Sequence, residues 1–200
     1  MKNISYFSSP ISPFRTEDGQ LRTATLIPSK SLTTQELYKM IVDPDGQLAR
    51  LTKQVRSASD YRTAKVQLLP YVTPYGVFTE RRSSALVTYS GLIPLDFDKL
   101  DSEEEACNLR DWIFDDSWLN AKLSFVSPSG KGVKAFIGYE HLLEPGVEVD
   151  KSTLNKFLNC ALNYVSCSYW RYLGKCADPS GKDLARACLL CHDKGAKFRV

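Results

Sequence analysis

The order of strand-like and helix-like patterns from Ala85 onward constrains the fold more than any other feature. A β-rich run, ALVTYSGLIPLDFD, precedes a helical segment, EEEACNLRDWIF, for which Ser102 and Glu105 form a capping box. Two strand-like segments follow, LSFVS and VKAFIGY, then a long helical pattern after Asp150, and finally the apolar segment ARACLLC. This order is that of the split βαβ arrangement. It predicts an antiparallel sheet with helices on one face and the other face open to a ligand.

The N-terminal part has a different pattern. Helical segments are predicted from Thr34, through QLARLTKQVRSA, and from Tyr61 to Leu68, before the aromatic stretch LPYVTPYGVF. We therefore expect an α+β protein that forms one compact domain. It would consist of an N-terminal mainly helical, mixed α/β subregion at residues 1–84 and an RRM-like split βαβ region at residues 85–200.

Composition excludes several protein classes. With 43% hydrophobic and 24% charged residues, the chain is neither disordered nor fibrous. No apolar run reaches membrane-spanning length, and the first residues lack an apolar export segment. We therefore expect a cytoplasmic protein with no membrane partner, in which the six cysteines are reduced.

The cysteines near the end of the chain suggest two cofactors that other features disfavour. Cys188, Cys191 and His192 spell a haem c attachment signal, but haem is attached in this way only to exported chains. Together with Cys176 they could also supply four zinc ligands. If ARACLLC is a buried strand, however, the thiols of Cys188 and Cys191 point to opposite faces, which disfavours zinc.

The strongest chemical signal is a pair of acidic residues at the end of a strand-like run. In Leu95-Asp96-Phe97-Asp98 the side chains alternate, so both carboxylates share one face and the apolar residues share the other. Two carboxylates so placed can hold one or two divalent cations. A strand that simply ends in a solvated turn would explain the same residues.

Two further segments carry polar groups suited to phosphate. The run SPSGKGVK places Ser129, Lys131 and Lys134 at a glycine-rich turn, although the spacing is not that of a P-loop and a plain hairpin turn fits as well. Later in the chain, Asp178 and Arg186 lie on either side of a turn-like segment. Asp183 competes with Asp178 as a third carboxylate, and an ordinary β-turn has this composition too.

Together these three segments resemble the three motifs of the archaeo-eukaryotic primase superfamily, most closely its VirE N-terminal domain branch of mobile elements and phages. The resemblance covers about residues 60–193 and includes LPYVTPYGVF before SGLIPLDFDKL. The matching residues are Asp96 and Asp98 in the first motif, Ser129 and Lys134 in the second, and Asp178 and Arg186 in the third.

This resemblance implies a primase-polymerase that adds nucleotides to a strand on a single-stranded DNA template, within the replication of a mobile element or phage. Its palm would hold two Mg²⁺ or Mn²⁺ ions on Asp96, Asp98 and Asp178. The NTP or dNTP phosphates would contact Ser129, Lys131, Lys134 and Arg186, and a separate helicase would unwind the duplex. Lys134 stands where most members have histidine, and a lysine is a poor proton relay near neutral pH.

Charge favours a nucleic-acid partner without proving it. The net charge is only +3, but net-basic segments at 1–100 and 151–200 flank a net-acidic one. Arg62, Lys65, Arg81 and Arg82 are the predicted contacts to nucleic acid. Solvated helix faces would account for the same charges.

Aromatic residues are a second group of candidate contacts to single-stranded nucleic acid. Tyr71, Tyr75 and Phe78 are candidates for stacking on template bases, with core packing as the alternative.

Two rival functions remain open. A catalytically degenerate member would keep the fold and act only as a single-stranded nucleic-acid-binding accessory of replication. A nucleotide-sugar transferase also uses an Asp-x-Asp pair to hold a metal, and it would bind a nucleotide sugar without responding to DNA.

Overall fold

A computed structural model of the chain describes residues 3–16, 18–143, 149–168 and 183–200. The described helices are α1 (Thr34–Val42), α2 (Gln47–Ser57), α3 (Tyr61–Leu68), α4 (Glu103–Asp115) and α5 (Lys151–Ser168). The described strands are β1 (Ile4–Phe7), β2 (Phe14–Arg15), β3 (Leu21–Arg22), β4 (Lys30–Leu32), β5 (Tyr71–Thr73), β6 (Gly76–Phe78), β7 (Leu86–Tyr89), β8 (Leu92–Phe97), β9 (Ala121–Val126), β10 (Val133–Gly138), β11 (Cys188–Leu189) and β12 (Lys197–Phe198). None of these helices is both long enough and apolar enough to cross a bilayer.

Side-chain caps mark the starts of the described helices except α2, which begins after Gly46. The Oγ of Ser102 accepts a hydrogen bond from the backbone N–H of Glu105 at the start of α4, as the sequence predicts. The Glu105 carboxylate, however, accepts from the N–H of Asp101, so the capping box is only half formed. Asp60 caps α3 through the N–H of Thr63. The predicted range of α3 is confirmed, and α4 ends one residue past the predicted segment EEEACNLRDWIF.

Two antiparallel four-stranded sheets dominate the architecture, and they confirm the α+β class. The first, called here the central sheet, has the strand order β12-β9-β10-β8. The second, the N-terminal sheet, has the order β11-β5-β1-β4. Two small ladders, β2-β3 and β6-β7, complete the described strands.

The last strand of the predicted split βαβ pattern lies in the other sheet. Strands β8, β10 and β9 are neighbours in the central sheet, but β11 pairs with β5, with Cys188 opposite Val72. The edge of the central sheet next to β9 is taken by β12 instead. Sequence alternation identifies a strand but not its neighbour, which is why the pattern missed this pairing. The boundary between residues 84 and 85 stays a prediction.

The central sheet is covered on both faces, so the expectation of an open face is wrong. Helices α4 and α5 pack on one face, in a core that contains Leu95 and Leu158. On the other face Phe125 and Phe136 meet edge to face and pack with residues of the N-terminal sheet and of α1, including Ile41. The hydrophobic residues of the first 84 positions thus bury the face that the split βαβ pattern alone leaves open.

An ion pair holds the C-terminal segment against the central sheet. The Arg110 guanidinium donates to the Asp193 carboxylate at 3.1 Å, and both side chains are nearly buried, with 7% and 9% of their surface exposed. Asp193 also accepts from the backbone N–H of Val126 and of Gly195. Each oxygen of this carboxylate therefore has more than one donor.

The cysteines of the C-terminal segment share one environment. Strand β11 ends at Leu189, so the thiols of Cys188 and Cys191 do not diverge across a sheet, as a longer strand would require, but lie in the same core. The Cys191 thiol donates to the carbonyl of Val126 at 3.1 Å. Burial raises the pKa of the Cys188 thiol to about 12, so it stays protonated at neutral pH.

Replacing Asp193 with alanine should lower the free energy of unfolding by about 3–5 kcal/mol, because it removes the one carboxylate partner of Arg110 that is itself nearly buried. Urea denaturation followed by circular dichroism measures this change. The matched control is Asp111→Ala, which removes the other carboxylate that accepts from Arg110. Asp111 is 39% exposed, so its loss should cost only about 0–1 kcal/mol. Equal losses in the two variants would contradict this explanation.

Thiol labelling of the folded chain should distinguish the cysteines. Cys160 and Cys167 are exposed on α5, so iodoacetamide at neutral pH should modify them first. Cys188 and Cys191 should react only after unfolding, because both are buried and burial raises their pKa. Peptide mapping by mass spectrometry follows each thiol. Modification of Cys188 at the rate of Cys160 would show that the segment is not packed as described.

Candidate functional site

The centre of the candidate site is a charged pair on two neighbouring strands of the central sheet. Asp96 on β8 lies directly opposite Lys134 on β10. The Nζ of Lys134 donates to Oδ2 of Asp96 at 2.6 Å. Because side chains alternate along a strand, Leu95 and Phe97 enter the core beneath α4 and α5, while Asp96 faces the opposite side. Only 25% of the Asp96 side chain and 11% of the Lys134 side chain are exposed.

The Lys134 ammonium stays charged in this environment. Burial by itself lowers the pKa of Lys134, but the adjacent Asp96 carboxylate raises it, and the net result is a pKa above the ordinary value for lysine. Asp98 and Cys188 act in the same direction. A pKa raised in the folded state means that the pair loses its stabilising effect only in strongly alkaline solution.

The second carboxylate oxygen of Asp96 is left without a partner. Oδ1 is buried and has no hydrogen-bond donor among the residues that the structure describes. A buried acceptor left unsatisfied costs about 1–3 kcal/mol, so such atoms are uncommon in folded proteins. A carboxylate with one oxygen fixed by lysine and the other unsatisfied has the chemistry of a ligand for Mg²⁺ or Mn²⁺. This one carboxylate therefore suits the predicted metal.

Asp98 lies just past the end of β8 and brings a second carboxylate to the same region. Its side chain is exposed, and its charge acts on the pKa of Lys134. A Cβ on Gly132 would lie 3.2 Å from Oδ1 of Asp98 and only 2.4 Å from the carbonyl oxygen of Phe97. Glycine at position 132 therefore permits the close approach of the β9–β10 turn to the end of β8.

The turn between β9 and β10 presents the predicted phosphate-binding residues. The backbone N–H of Lys131 donates to the Oγ of Ser129 at 3.1 Å, and the hydroxyl groups of Ser127 and Ser129 are 3.1 Å apart. Gly130 has φ +74°, which favours glycine. Ser129 and Lys131 are both exposed. The turn is thus fixed by its own hydrogen bonds while these two side chains remain accessible.

Two residues that the motifs did not identify tie this turn to the N-terminal helices. Arg56 at the end of α2 donates from Nε to the carbonyl of Pro128 at 3.0 Å. Tyr61 at the start of α3 lies close enough to Ser129 for the serine hydroxyl to lower the pKa of the tyrosine. Burial raises the pKa of Tyr61, and the nearby Asp98 raises it further. Their sequence signal was only a basic helix followed by an aromatic residue, which does not indicate a contact with a turn about 70 residues away.

Part of the third predicted segment can be located. Asp178 lies outside the described residues. Asp183 accepts from the Ser83 hydroxyl at 2.6 Å and from the N–H of Ala185, so its carboxylate stabilises a local turn. Arg186 lies two residues before Cys188, and its charge lowers the pKa of the Cys188 thiol, as that of Lys134 does.

The predicted metal ligands are partly brought together. Asp96 and Asp98 are close to Lys134, as described above, but within the described ranges no three His, Cys, Asp or Glu side chains are grouped so as to hold a metal ion. Cys176, the fourth zinc ligand considered, also lies outside the described residues. The two-metal arrangement therefore stays a prediction that depends on Asp178.

The predicted nucleic-acid contacts lie on two separate elements. Arg62 is exposed on α3. On the same helix the Nζ of Lys65 lies 5.4 Å from the centre of the Tyr61 ring, a distance typical of cation–π pairs. Arg81 and Arg82 follow β6, and Arg82 pairs with Glu80 at 3.1 Å.

The aromatic residues proposed to stack on bases are in the core. Tyr71, Tyr75 and Phe78 have 0%, 2% and 2% of their surface exposed, so the stacking hypothesis is wrong for them. Phe7 stacks on Tyr71 with ring centroids 4.7 Å apart. The strands β5 and β6 that carry these rings lie inside the fold, which a local aromatic pattern cannot reveal.

Comparison with known proteins corrects the predicted relationship. The family model described as "BT4734-like, N-terminal domain" matches residues 63–198. No curated protein and no solved structure matches the chain. The identification with the archaeo-eukaryotic primase superfamily and its VirE N-terminal branch is therefore wrong, because the family found is a different one. Since the match spans more than half of its length, the chain belongs to the BT4734-like family, through that family's N-terminal domain.

Proposed function

We propose that this protein binds a nucleoside triphosphate as its Mg²⁺ or Mn²⁺ complex and transfers the nucleotidyl group to the end of a nucleic-acid strand on a single-stranded template. The observation that carries the proposal is the buried Oδ1 of Asp96, which has no partner among the described residues although Oδ2 is held by Lys134. A purely structural ion pair does not explain why a buried carboxylate oxygen lacks a partner. A metal ligand does explain it, because the oxygen must be available to the cation.

The charged pair supplies a fixed carboxylate. Lys134 holds Asp96 through one oxygen, which sets the direction of the other. The ammonium also offsets part of the negative charge of Asp96 and Asp98, so the carboxylates can approach each other before a cation binds. In this proposal Asp178 completes the ligand set.

The turn at Ser129 and Lys131 supports binding of the triphosphate. Its exposed hydroxyl and ammonium groups are donors suited to phosphate oxygens, and the turn closes against the strand end that carries Asp98. Lys134 and Arg186 add positive charge on the side of Cys188. Phosphoryl transfer depends mainly on such positioning and charge neutralisation.

The reaction needs no covalent intermediate with the protein. The 3′-oxygen of the strand attacks the α-phosphorus, a new phosphodiester bond forms, and the bond to the bridging oxygen of the β-phosphate breaks, releasing pyrophosphate; the hydroxyl proton passes to water. Bound divalent cations supply Lewis acidity at the phosphates. Lys131 and Arg186 would neutralise the charge of the leaving pyrophosphate.

Replacing Asp98 with asparagine should reduce template-dependent nucleotide incorporation by about 100-fold or more, because a neutral amide is a weak ligand for Mg²⁺. Incorporation of a labelled NTP or dNTP on a primed template, with Mg²⁺ and separately with Mn²⁺, measures the effect. Asp98 is exposed and the variant keeps the Asp96–Lys134 pair, so the fold should be retained.

Asp96→Asn tests the buried carboxylate of the same site. Unfolding by urea shows whether this variant still folds. Asp115→Asn is the matched control: it removes one exposed carboxylate at the end of α4 and should leave incorporation unchanged. Wild-type protein that neither binds Mn²⁺ with a nucleotide, in calorimetry, nor incorporates one would refute the proposal.

The Asp96–Lys134 ion pair also favours a second candidate, a nucleic-acid-binding accessory without catalysis. In that case Lys134 neutralises the carboxylate permanently, and no metal is required. Oligonucleotide binding that is indifferent to Mn²⁺ and to Asp98→Asn, together with no incorporation, would support this alternative.

A further inference from the structure

A groove runs along helix α2 and ends beside the candidate site. Its volume is about 390 Å³, and it is lined by Ala49, Thr52, Lys53, Arg56, Ser57 and His192. All of these residues except His192 are on α2, and none of them is acidic. The groove thus presents cations and hydroxyl groups without a carboxylate on its walls.

The C-terminal segment forms the other wall. The backbone N–H of His192 donates to the Oγ1 of Thr52 at 2.8 Å, which fixes His192 against α2. The Nε2 atom of this histidine has no hydrogen-bond partner among the described residues. A second cavity of about 310 Å³ shares Arg56 and His192 and adds Lys194, but Glu103 and Asp193 also line it.

The charges of the groove and of the adjoining cavity are only partly neutralised within the described chain. Arg56 makes a long contact of 3.7 Å to Glu103. No ion pair joins Lys53 or Lys194 to an acidic side chain of the described residues, and both lysines are exposed. Helix α2 contains no acidic residue at all. This surface is therefore complementary to a chain of phosphates rather than to a protein of mixed charge.

The groove leads to the phosphate-binding turn. Arg56 lines the groove and also donates to Pro128 in the turn that carries Ser129. Tyr61, which lies near Ser129, starts the next helix, α3, whose exposed Arg62 extends the basic surface. A strand lying along α2 would thus have one end beside Asp98 and Ser129.

We propose that the α2 groove binds the phosphate backbone of a single-stranded nucleic acid. This inference deepens the proposed function, on which it rests, by stating where the strand lies. It differs from the sequence-based expectation in assigning the principal contacts to Lys53 and Arg56 of the groove, with Lys194 of the adjoining cavity, and not to Arg81 and Arg82. Tight binding without base contacts would be independent of sequence and strongly dependent on salt.

The test is fluorescence anisotropy of a labelled oligothymidylate of about 16 nucleotides, a length within the usual range of single-strand sites. Lys53→Glu combined with Lys194→Glu should weaken binding by about tenfold or more at ~0.1 M salt, and lower the salt slope by about 1.4, since each lost phosphate contact on a single strand removes ~0.7. Both lysines are exposed, so circular dichroism should show an unchanged fold.

The matched control is Lys151→Glu combined with Lys156→Glu. These residues are exposed on α5, which packs on the opposite face of the central sheet, and the substitution changes the net charge by the same amount. The control should bind the oligonucleotide within about twofold of wild type. Equal weakening by both pairs, or no binding by the wild-type chain, would overturn the inference.

Binding of a Mn²⁺–nucleotide complex, measured separately by calorimetry, distinguishes this inference from the proposed function. If nucleotide binds and the oligonucleotide does not, the groove assignment fails and the nucleotide site stands. If the oligonucleotide binds in the groove and neither nucleotide nor metal binds, the proposed function fails and the groove assignment stands.

Discussion

Burial of the central sheet on both faces is the constraint on which the rest of the structure depends. Every residue of β10 is buried, so a polar side chain on this strand must find its partner inside the protein. Lys134 meets this requirement through Asp96 on the neighbouring strand. On β9, the buried Ser124 donates to the carbonyl of Arg110. Each of these two side chains thus has its matching atom on a second element.

The same constraint determines where a ligand can bind. Aromatic and aliphatic packing fills both faces of the sheet, so the accessible polar groups lie where β8 and β10 meet the β9–β10 turn. Asp96 is at this boundary, with one oxygen engaged and the other buried without a partner in the described chain. Asp98, two residues further along the chain, is exposed to solvent. A site for a charged ligand is therefore confined to the end of the strands.

Helices α2 and α3 contribute to the surroundings of the β9–β10 turn, although the family match covers only part of α3 and none of α2. The BT4734-like match begins at residue 63, whereas Arg56 and Tyr61, which contact the Ser129 turn, come before it. The C-terminal segment closes the same region from the other side, because Asp193 is anchored by Arg110 and His192 rests on Thr52. Residues from the N-terminal and C-terminal parts of the chain thus meet around the turn. The proposed nucleotide site and the proposed strand-binding groove therefore adjoin each other.

The sequence by itself determined the local structure. The cap at Ser102 and helical periodicity predicted the helices, and alternation predicted β8 and placed Asp96 and Asp98 away from the core beneath α4. These features depend on residues a few positions apart, whose geometry is the same in any fold. They also supported a resemblance to the wrong family, because short acidic and glycine-rich motifs occur in many proteins.

Only the tertiary structure decided which strand pairs with which and what covers each surface. It placed β11 beside β5, buried Tyr71, Tyr75 and Phe78, paired Lys134 with Asp96, and brought Arg56 to Pro128. Each of these contacts joins residues far apart in the chain. Their formation depends on how the hydrophobic faces of all the elements are buried together, and no local pattern contains that information.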